Sequence, residues 1–255
     1  MSKIQLISDI HLEFPDNSWF LRENPFENDA DVLIIAGDFC PKIHRDDDHI
    51  QKFLDMVSEN YERVIIINGN HDYYHGSAHE IGKEKVKLRK NVFNVNRQVV
   101  KHKKVRYICA TLWGSPLPKE EFYVRNYLYD FRAIEGMTMK KFINLNKTDS
   151  EFIRREAKKP YDGKTVVVTH HIPSRYQIHP MYKDSDCNGG FASSEEETFK
   201  ENIDFWVYGH THSTFDDVRW DTRFICNPLG YVRRYNEDSC NLENKYWNPA
   251  LYFEC

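Results

Sequence analysis

The chain has 255 residues and a formal charge of −4, which argues against broad charge-driven binding to nucleic acid and leaves only local groove contacts open. Its composition, 40% hydrophobic and 14% aromatic, suffices for one sizeable α/β domain across residues 1–255, and no run approaches the ~18 consecutive apolar residues of a membrane span. The six cysteines (Cys40, Cys109, Cys187, Cys226, Cys240, Cys255) form no CxxC pair, so reduced thiols in a cytoplasmic protein are expected rather than a disulfide framework or zinc ribbon.

In chain order, Ile4 to Ile7 reads as the first core strand, running straight into Ser8-Asp9-Ile10-His11. That start fits a strand and not a signal peptide. Val32 to Ala36 is the second strand, followed by Gly37-Asp38. An amphipathic helix comes next: Ile50, Phe53, Leu54 and Val57 share one face, and Asp46 to Asp48 suit its positive end. Val64 to Ile67 leads into Asn68-Gly69-Asn70-His71-Asp72, and Val105 to Ala110 is a further strand. Residues 115–160 read as a mostly helical insertion rich in Tyr, Phe and charge. Val166 to Thr169 runs into His170-His171, and Phe205 to Tyr208 into Gly209-His210-Thr211-His212. Between these two, Glu195 to Asn202 is expected to be helical, with Ser193 and Glu196 at capping-box spacing. From Tyr231 onward the pattern is too weak to assign an element. Strands alternating with helices imply a sheet covered on both faces.

Five apolar runs therefore end, within three residues, in a potential metal ligand. Singly, each has an ordinary reading: Gly-Asp is a common turn, and a His-x-His pair is often just surface or core histidine. Together they point to one crevice, because open α/β sheets bind ligands beyond the carboxyl ends of their strands. Glycines before Asp38, Asn70 and His210 permit the tight loops this needs. Mixed carboxylate and imidazole donors suit manganese, iron, zinc, nickel or cobalt better than calcium. Two such ions need a bridging anion, and an asparagine carbonyl adds a ligand without adding charge. The expected chemistry is attack by a metal-activated water, with a non-ligand histidine protonating the leaving group.

Asp9-x-His11, Gly37-Asp38, Gly69-Asn70-His71-Asp72, Thr169-His170-His171 and Gly209-His210-Thr211-His212 resemble the motif series of the calcineurin-like metallophosphoesterase superfamily. Thr111-Leu112-Trp113-Gly114 and Asn227-Pro228-Leu229-Gly230-Tyr231 resemble its small bacterial and phage-type members. The resemblance implies a four-layer α/β/β/α sandwich of two mixed sheets with flanking helices. It implies that Asp9, His11, Asp38 and His212 hold one divalent ion, manganese first among the candidates. Asp38 would bridge to a second ion held by Asn70, His170 and His210. His71 would be the general acid, and His171 would sit behind the ligands or at the rim.

The block after Asp38 reads Phe39-Cys40-Pro41-Lys42 and lacks the Asp-Arg pair of the serine/threonine protein phosphatases, which disfavours that branch. Cys40 is expected to be a packed, inert thiol rather than an oxidation-sensitive one. The expected function is a dinuclear phosphoesterase acting on phosphodiester or phosphomonoester bonds of a small, nucleotide-like substrate. The alternatives are a metal-dependent nuclease and a non-catalytic scaffold of the same fold. No membrane or duplex nucleic-acid partner is expected. Within the insertion, Phe122, Tyr123, Tyr127, Tyr129 and Phe131 interleave with Arg125 and Arg132, a pattern that could lid the crevice, stacking bases and pairing a phosphate.

Overall fold

The computed structural model describes residues 1–26, 30–236 and 239–255. Two six-stranded mixed sheets face each other. The first is built from β1 (Lys3–Ile7), β2 (Val32–Ala36), β3 (Arg63–Ile67), β4 (Glu84–Lys87) and β5 (Val92–Asn96), with the last strand of the chain added at one edge. The second contains β6 (Gln98–His102), β7 (Val105–Cys109), β8 (Lys164–Val168), β9 (Phe205–Tyr208), β10 (Phe215–Arg219) and β11 (Thr222–Cys226). A small hairpin, β12 (Val232–Arg234) and β13 (Cys240–Leu242), precedes β14 (Tyr252–Glu254), which pairs antiparallel with β1. In each sheet four parallel strands, β1-β2-β3-β5 and β11-β9-β8-β7, are flanked by an antiparallel strand on either side.

The parallel strands read as unbroken Val/Ile runs because both of their faces are covered. Alternation sends Ile4, Leu6, Ile34 and Ile65 inward, where they meet Tyr107, Val166, Val168 and Val207 of the opposite sheet. The other faces of β1 to β3, including Ile7, Leu33, Ile35 and Ile66, pack on α1 (Pro15–Glu23) and α2 (Asp48–Asn60) through Phe20, Leu21, Phe53 and Leu54. Residues 115–160 carry α3 (Glu121–Tyr127), α4 (Asp130–Ala133) and α5 (Met139–Ala157). Phe152 and Ile153 of α5 cover Ile108, Val167, Trp206 and Phe224 on the outer face of the second sheet. Phe142 and Leu145 of the same helix join Trp113, Tyr73 and Tyr74 in a separate cluster at the strand ends. Layers of helix, sheet, sheet and helix result. A short α6 (Asn188–Phe191) lies beside the site.

One expected element is corrected. Glu195 to Asn202 forms only a 3-10 turn, Thr198–Lys200. The capping acid is drawn elsewhere: Glu196 accepts from Ser174 Oγ at 2.6 Å, and Ser193 Oγ donates to Glu195 at 3.1 Å. Without the reciprocal cap, a short helix loses the contacts that would nucleate it. No helix among the described residues is long and apolar enough to cross a membrane.

Candidate metal centre and catalytic site

β1, β2 and β3 of the first sheet deliver Asp9 and His11, Asp38, and Asn70 and His71 from the loops at their carboxyl ends. β8 and β9 of the second deliver His170, His210 and His212. All seven positions expected as ligands meet at the seam between the sheets. Asp9, His11 and His212 offer ligand atoms within 4.8 Å of one another, as do Asp38, His170 and His210. Asp38 stands between the groups: His11 Nε2 lies 3.7 Å from its Oδ2, and His170 Nε2 lies 3.3 Å from its Oδ1. His212 Nε2 is 3.4 Å from Asp9 Oδ1, and Asn70 Oδ1 is 3.0 Å from His170 Nε2. His71 also comes within ligand range of His11 and Asp38.

The backbone bends unusually to achieve this. Asp9, His11, Asp38, His210 and His212 all adopt left-handed φ between 43° and 68°, a region that non-glycine residues rarely occupy. Hydrogen bonds hold them there: Asp9 N donates to Gly37 O and His11 N to Asp38 O, both at 3.0 Å, and His210 N donates to Asp9 Oδ1 at 3.0 Å. Beneath the loops, the fully buried Asp72 accepts from Asp38 N at 3.1 Å, Gly69 N at 2.8 Å and Arg45 Nη2 at 3.2 Å. A side chain cannot enter at Gly69, where a Cβ would sit 2.6 Å from Asp38 N and closer still to its carboxylate.

Burial opposes ionisation of Asp38, yet the rings of His170, His71 and His11 hold it well below the usual carboxylate range. Burial likewise opposes the charged ring of His170, but Asp38 and Asp9 raise it to about 9. His212 is raised to about 10 against the same penalty by Asp9 and Glu243. His210 is pushed far down, by burial first and then by its histidine neighbours, and its buried Nε2 has no hydrogen-bond partner. Likewise, His11 Nε2 and His212 Nε2 confront each other at 3.3 Å. An orphaned ring nitrogen and crowded imidazoles beside two carboxylates are a donor set that a cation satisfies better than hydrogen bonding does. The residues therefore fit divalent ions.

Several functional neighbours escaped the sequence reading. Glu13 Oε1 hydrogen-bonds both His11 Nδ1 at 3.2 Å and His71 Nδ1 at 3.3 Å; the spacing Asp9-x-His11-x-Glu13 was the available signal. Glu243 Oε2 contacts His212 Nδ1 at 2.6 Å. Asp130 receives Asn70 Nδ2 at 2.8 Å and Tyr74 Oη at 3.2 Å. Tyr231 Oη lies 3.5 Å from His71 Nε2. Tyr231 ends the Asn227–Tyr231 motif, which did not reveal its place beside His71, whereas Asp130 and Glu243 are remote in sequence and no motif signals them.

A cleft of about 500 Å³ opens above Asp38, Asn70, His71, His210 and His212. Tyr127 and Tyr129 of the insertion line it as expected, but the arginines do not. Arg132 Nη2 donates to Asn126 O at 2.7 Å, and Phe131 packs on Phe142. His171 lies wholly buried behind the cleft, its ring 4.1 Å from that of His210, with both nitrogens unpartnered. Cys40 is buried and its thiol pushed up chiefly by that burial, as an inert packed cysteine would be.

The comparisons with known proteins point the same way. An uncharacterized protein, L509, of Acanthamoeba polyphaga mimivirus is 24% identical over 286 residues, covering 100% of this chain and 97% of its own. The crystal structure of phosphopantetheinyl hydrolase from Mycobacterium tuberculosis superposes with a TM-score of 0.63 at 18% identity, covering 90% of this chain and 89% of that one. That likeness speaks for the fold. The family model of calcineurin-like phosphoesterases matches residues 2–214, a span that takes in every loop carrying a candidate ligand. The chain is a phosphoric ester hydrolase belonging to the calcineurin-like phosphoesterase family.

Proposed function

We propose that the protein is a dinuclear, metal-dependent phosphoesterase acting on a small, nucleotide-like ester. The observation that carries this reading is Asp38, whose two oxygens face two separate ligand groups. Asp9, His11, Asp38 and His212 would hold one ion; Asp38, Asn70, His170 and His210 would hold the other. The imidazole-rich donor set suits manganese, with iron, zinc, nickel or cobalt as alternatives. Such a pair would supply a water nucleophile ionised near neutral pH and would polarise the phosphoryl oxygen.

The chain's own groups do the rest. His71 Nε2 faces the cleft beside Tyr231 and donates a proton to the departing oxygen. Glu13, bonded to its Nδ1, keeps the proton-bearing Nε2 aimed outward. Asn70 is oriented for its ligand role by Asp130 and Tyr74, which take its amide hydrogens and leave Oδ1 turned to His170. Tyr127 and Tyr129 offer flat faces to a base. The free thiols suit a cytoplasmic enzyme.

The test is Asp38→Ala, measured for manganese content and for turnover of a chromogenic phosphodiester. Loss of both ions with loss of turnover is expected. Two ions per chain in an active variant would end the bridging assignment, and absence of turnover by fully metal-loaded wild type would favour a scaffold.

A further inference from the structure

The charge of the cleft restricts what can react in it. Besides Asp38, its walls carry the carboxylates Asp130 and Glu243, and among the described residues lining it there is neither lysine nor arginine. Two nearby arginines are engaged elsewhere. Arg175 clamps Glu120 through both terminal nitrogens at 2.7 Å, and Arg132 is turned to a backbone carbonyl. On the two-ion reading, on which this inference rests, the four carboxylates Asp9, Asp38, Asp130 and Glu243 match the four positive charges of two divalent ions. The site as a whole is then close to neutral.

A phosphate monoester carries nearly two negative charges at neutral pH, because its second pKa is near ~6. A diester carries one. Polyphosphates and oligonucleotides carry several, and proteins that hold them present cationic grooves or arginine forks. In place of those groups this cleft presents exposed rings. Tyr127 is 70%, Tyr129 54% and Tyr182 53% exposed at its rim, and Tyr231 lines it beside His71.

We infer that the cleft selects phosphodiesters carrying a single negative charge and a flat ring such as a nucleobase, and rejects monoester dianions and polyphosphate chains. Tyr127, Tyr129 and Tyr182 set the preference for the ring, while Asp130 and Glu243, with no lysine or arginine beside them in the cleft, set the preference for low charge.

The experiment uses the full chain loaded with manganese and three esters of one leaving group: thymidine 5′-(4-nitrophenyl) phosphate, methyl 4-nitrophenyl phosphate and 4-nitrophenyl phosphate. The thymidine diester should exceed the methyl diester in kcat/KM by about 5- to 150-fold, the worth of one stacked base. Tyr127→Ala should erase much of that ratio. Tyr182→Lys, at an exposed rim position, should raise the monoester's kcat/KM relative to the methyl diester by about fivefold or more, through a new charge near the phosphoryl group. Calorimetry at fixed free manganese provides a second readout, in which affinity should fall from thymidine mono- to di- to triphosphate. Affinity rising along that series, or a monoester rate that equals the diesters and ignores Tyr182→Lys, would overturn the charge selection alone. Equal rates on both diesters, unchanged by Tyr127→Ala, would overturn the ring selection. Failure to hydrolyse any of the three esters would instead overturn the phosphoesterase reading beneath it.

Discussion

Replacing Asp72 with alanine should be among the most damaging single changes outside the ligand set. The residue touches no ion in our reading. Its carboxylate ties the loop after β2 to the loop after β3, accepting from Asp38 N, Gly69 N and Arg45 Nη2. Removing it strands two buried amides at ~1–3 kcal/mol each, before counting a guanidinium that retains only its bonds to Asn68 and Asn94. Partial refilling by water lowers the sum, so ~3–5 kcal/mol is expected, the usual cost of breaking a buried ion pair. The ionised carboxylate is not itself a large net gain: burial foremost, with Asp38 nearby, pushes Asp72 up to about 6 despite Arg45. Because that value lies above the unfolded 3.8, the contribution is fully present below pH ~4 and lost as pH rises through ~6, about 3 kcal/mol in all. The wild-type advantage over Asp72→Asn should therefore shrink across that window. Urea denaturation of the metal-free protein, compared at constant m-value, measures both effects. Adding Arg45→Met to Asp72→Ala should restore part of the loss, since the stranded charge goes with it. A loss below ~1 kcal/mol for the single variant, or no recovery in the double, would refute this account of the loop junction.

His71→Asn should keep both ions yet lose roughly 10²–10⁴-fold in rate, and lose less on nitrophenyl esters whose leaving group scarcely needs a proton. Metal loss with an equal penalty on every leaving group would make His71 a ligand. Gly69→Ala should abolish metal binding in folded protein, because its Cβ would collide with the Asp38 carboxylate; elemental analysis beside a circular dichroism spectrum decides it. In the metal-free chain His170 and His212, raised to about 9 and about 10, both hold protons at pH 7. Their raised values contribute stability that is present below pH ~6.5 and lost as pH rises through 9 to 10. Metal loading at pH 7 should therefore release about two protons, read by calorimetry in buffers of different ionisation enthalpy.

The strands that carry the site were legible because full burial on both faces turns them into Val/Ile runs, and because the ligands follow those runs directly. The edges were not. β10 reads Phe-Asp-Asp-Val-Arg and β4 reads Glu-Lys-Val-Lys; edge strands carry charge that hides their pairing. The turn after β10 uses Trp220 and Asp221 at φ 51° and 62°, without the Asn-Gly signal that announces such hairpins. Helix 195–202 failed for the opposite reason: its capping pattern was present, but tertiary partners took the acid. Within the site, local motifs revealed the ligand types, whereas Glu243, Asp130 and Tyr231 depend on chain segments brought together only by the finished fold. The arginines of the insertion alternated with aromatics as a phosphate clamp would, yet helix geometry turned them away from the cleft.

The ligands also divide by origin. Asp9, His11, Asp38 and Asn70 belong to the sheet formed from residues 3–96 and the final strand, and His170, His210 and His212 to the sheet formed from residues 98–226. Any ion held between them is thus a cross-link between two halves made at different times during synthesis. Neither half contains a complete site, so tight binding must wait until the sheets have closed on each other, and once bound the ion resists their parting. At a hundred times its dissociation constant a ligand confined to the folded state adds about 2.7 kcal/mol. Here that energy falls on the seam, where the backbone already sits in left-handed turns with little stability of its own. Chelation should loosen the chain first at the carboxyl ends of β1, β2, β8 and β9, while the apolar layers beneath remain closed.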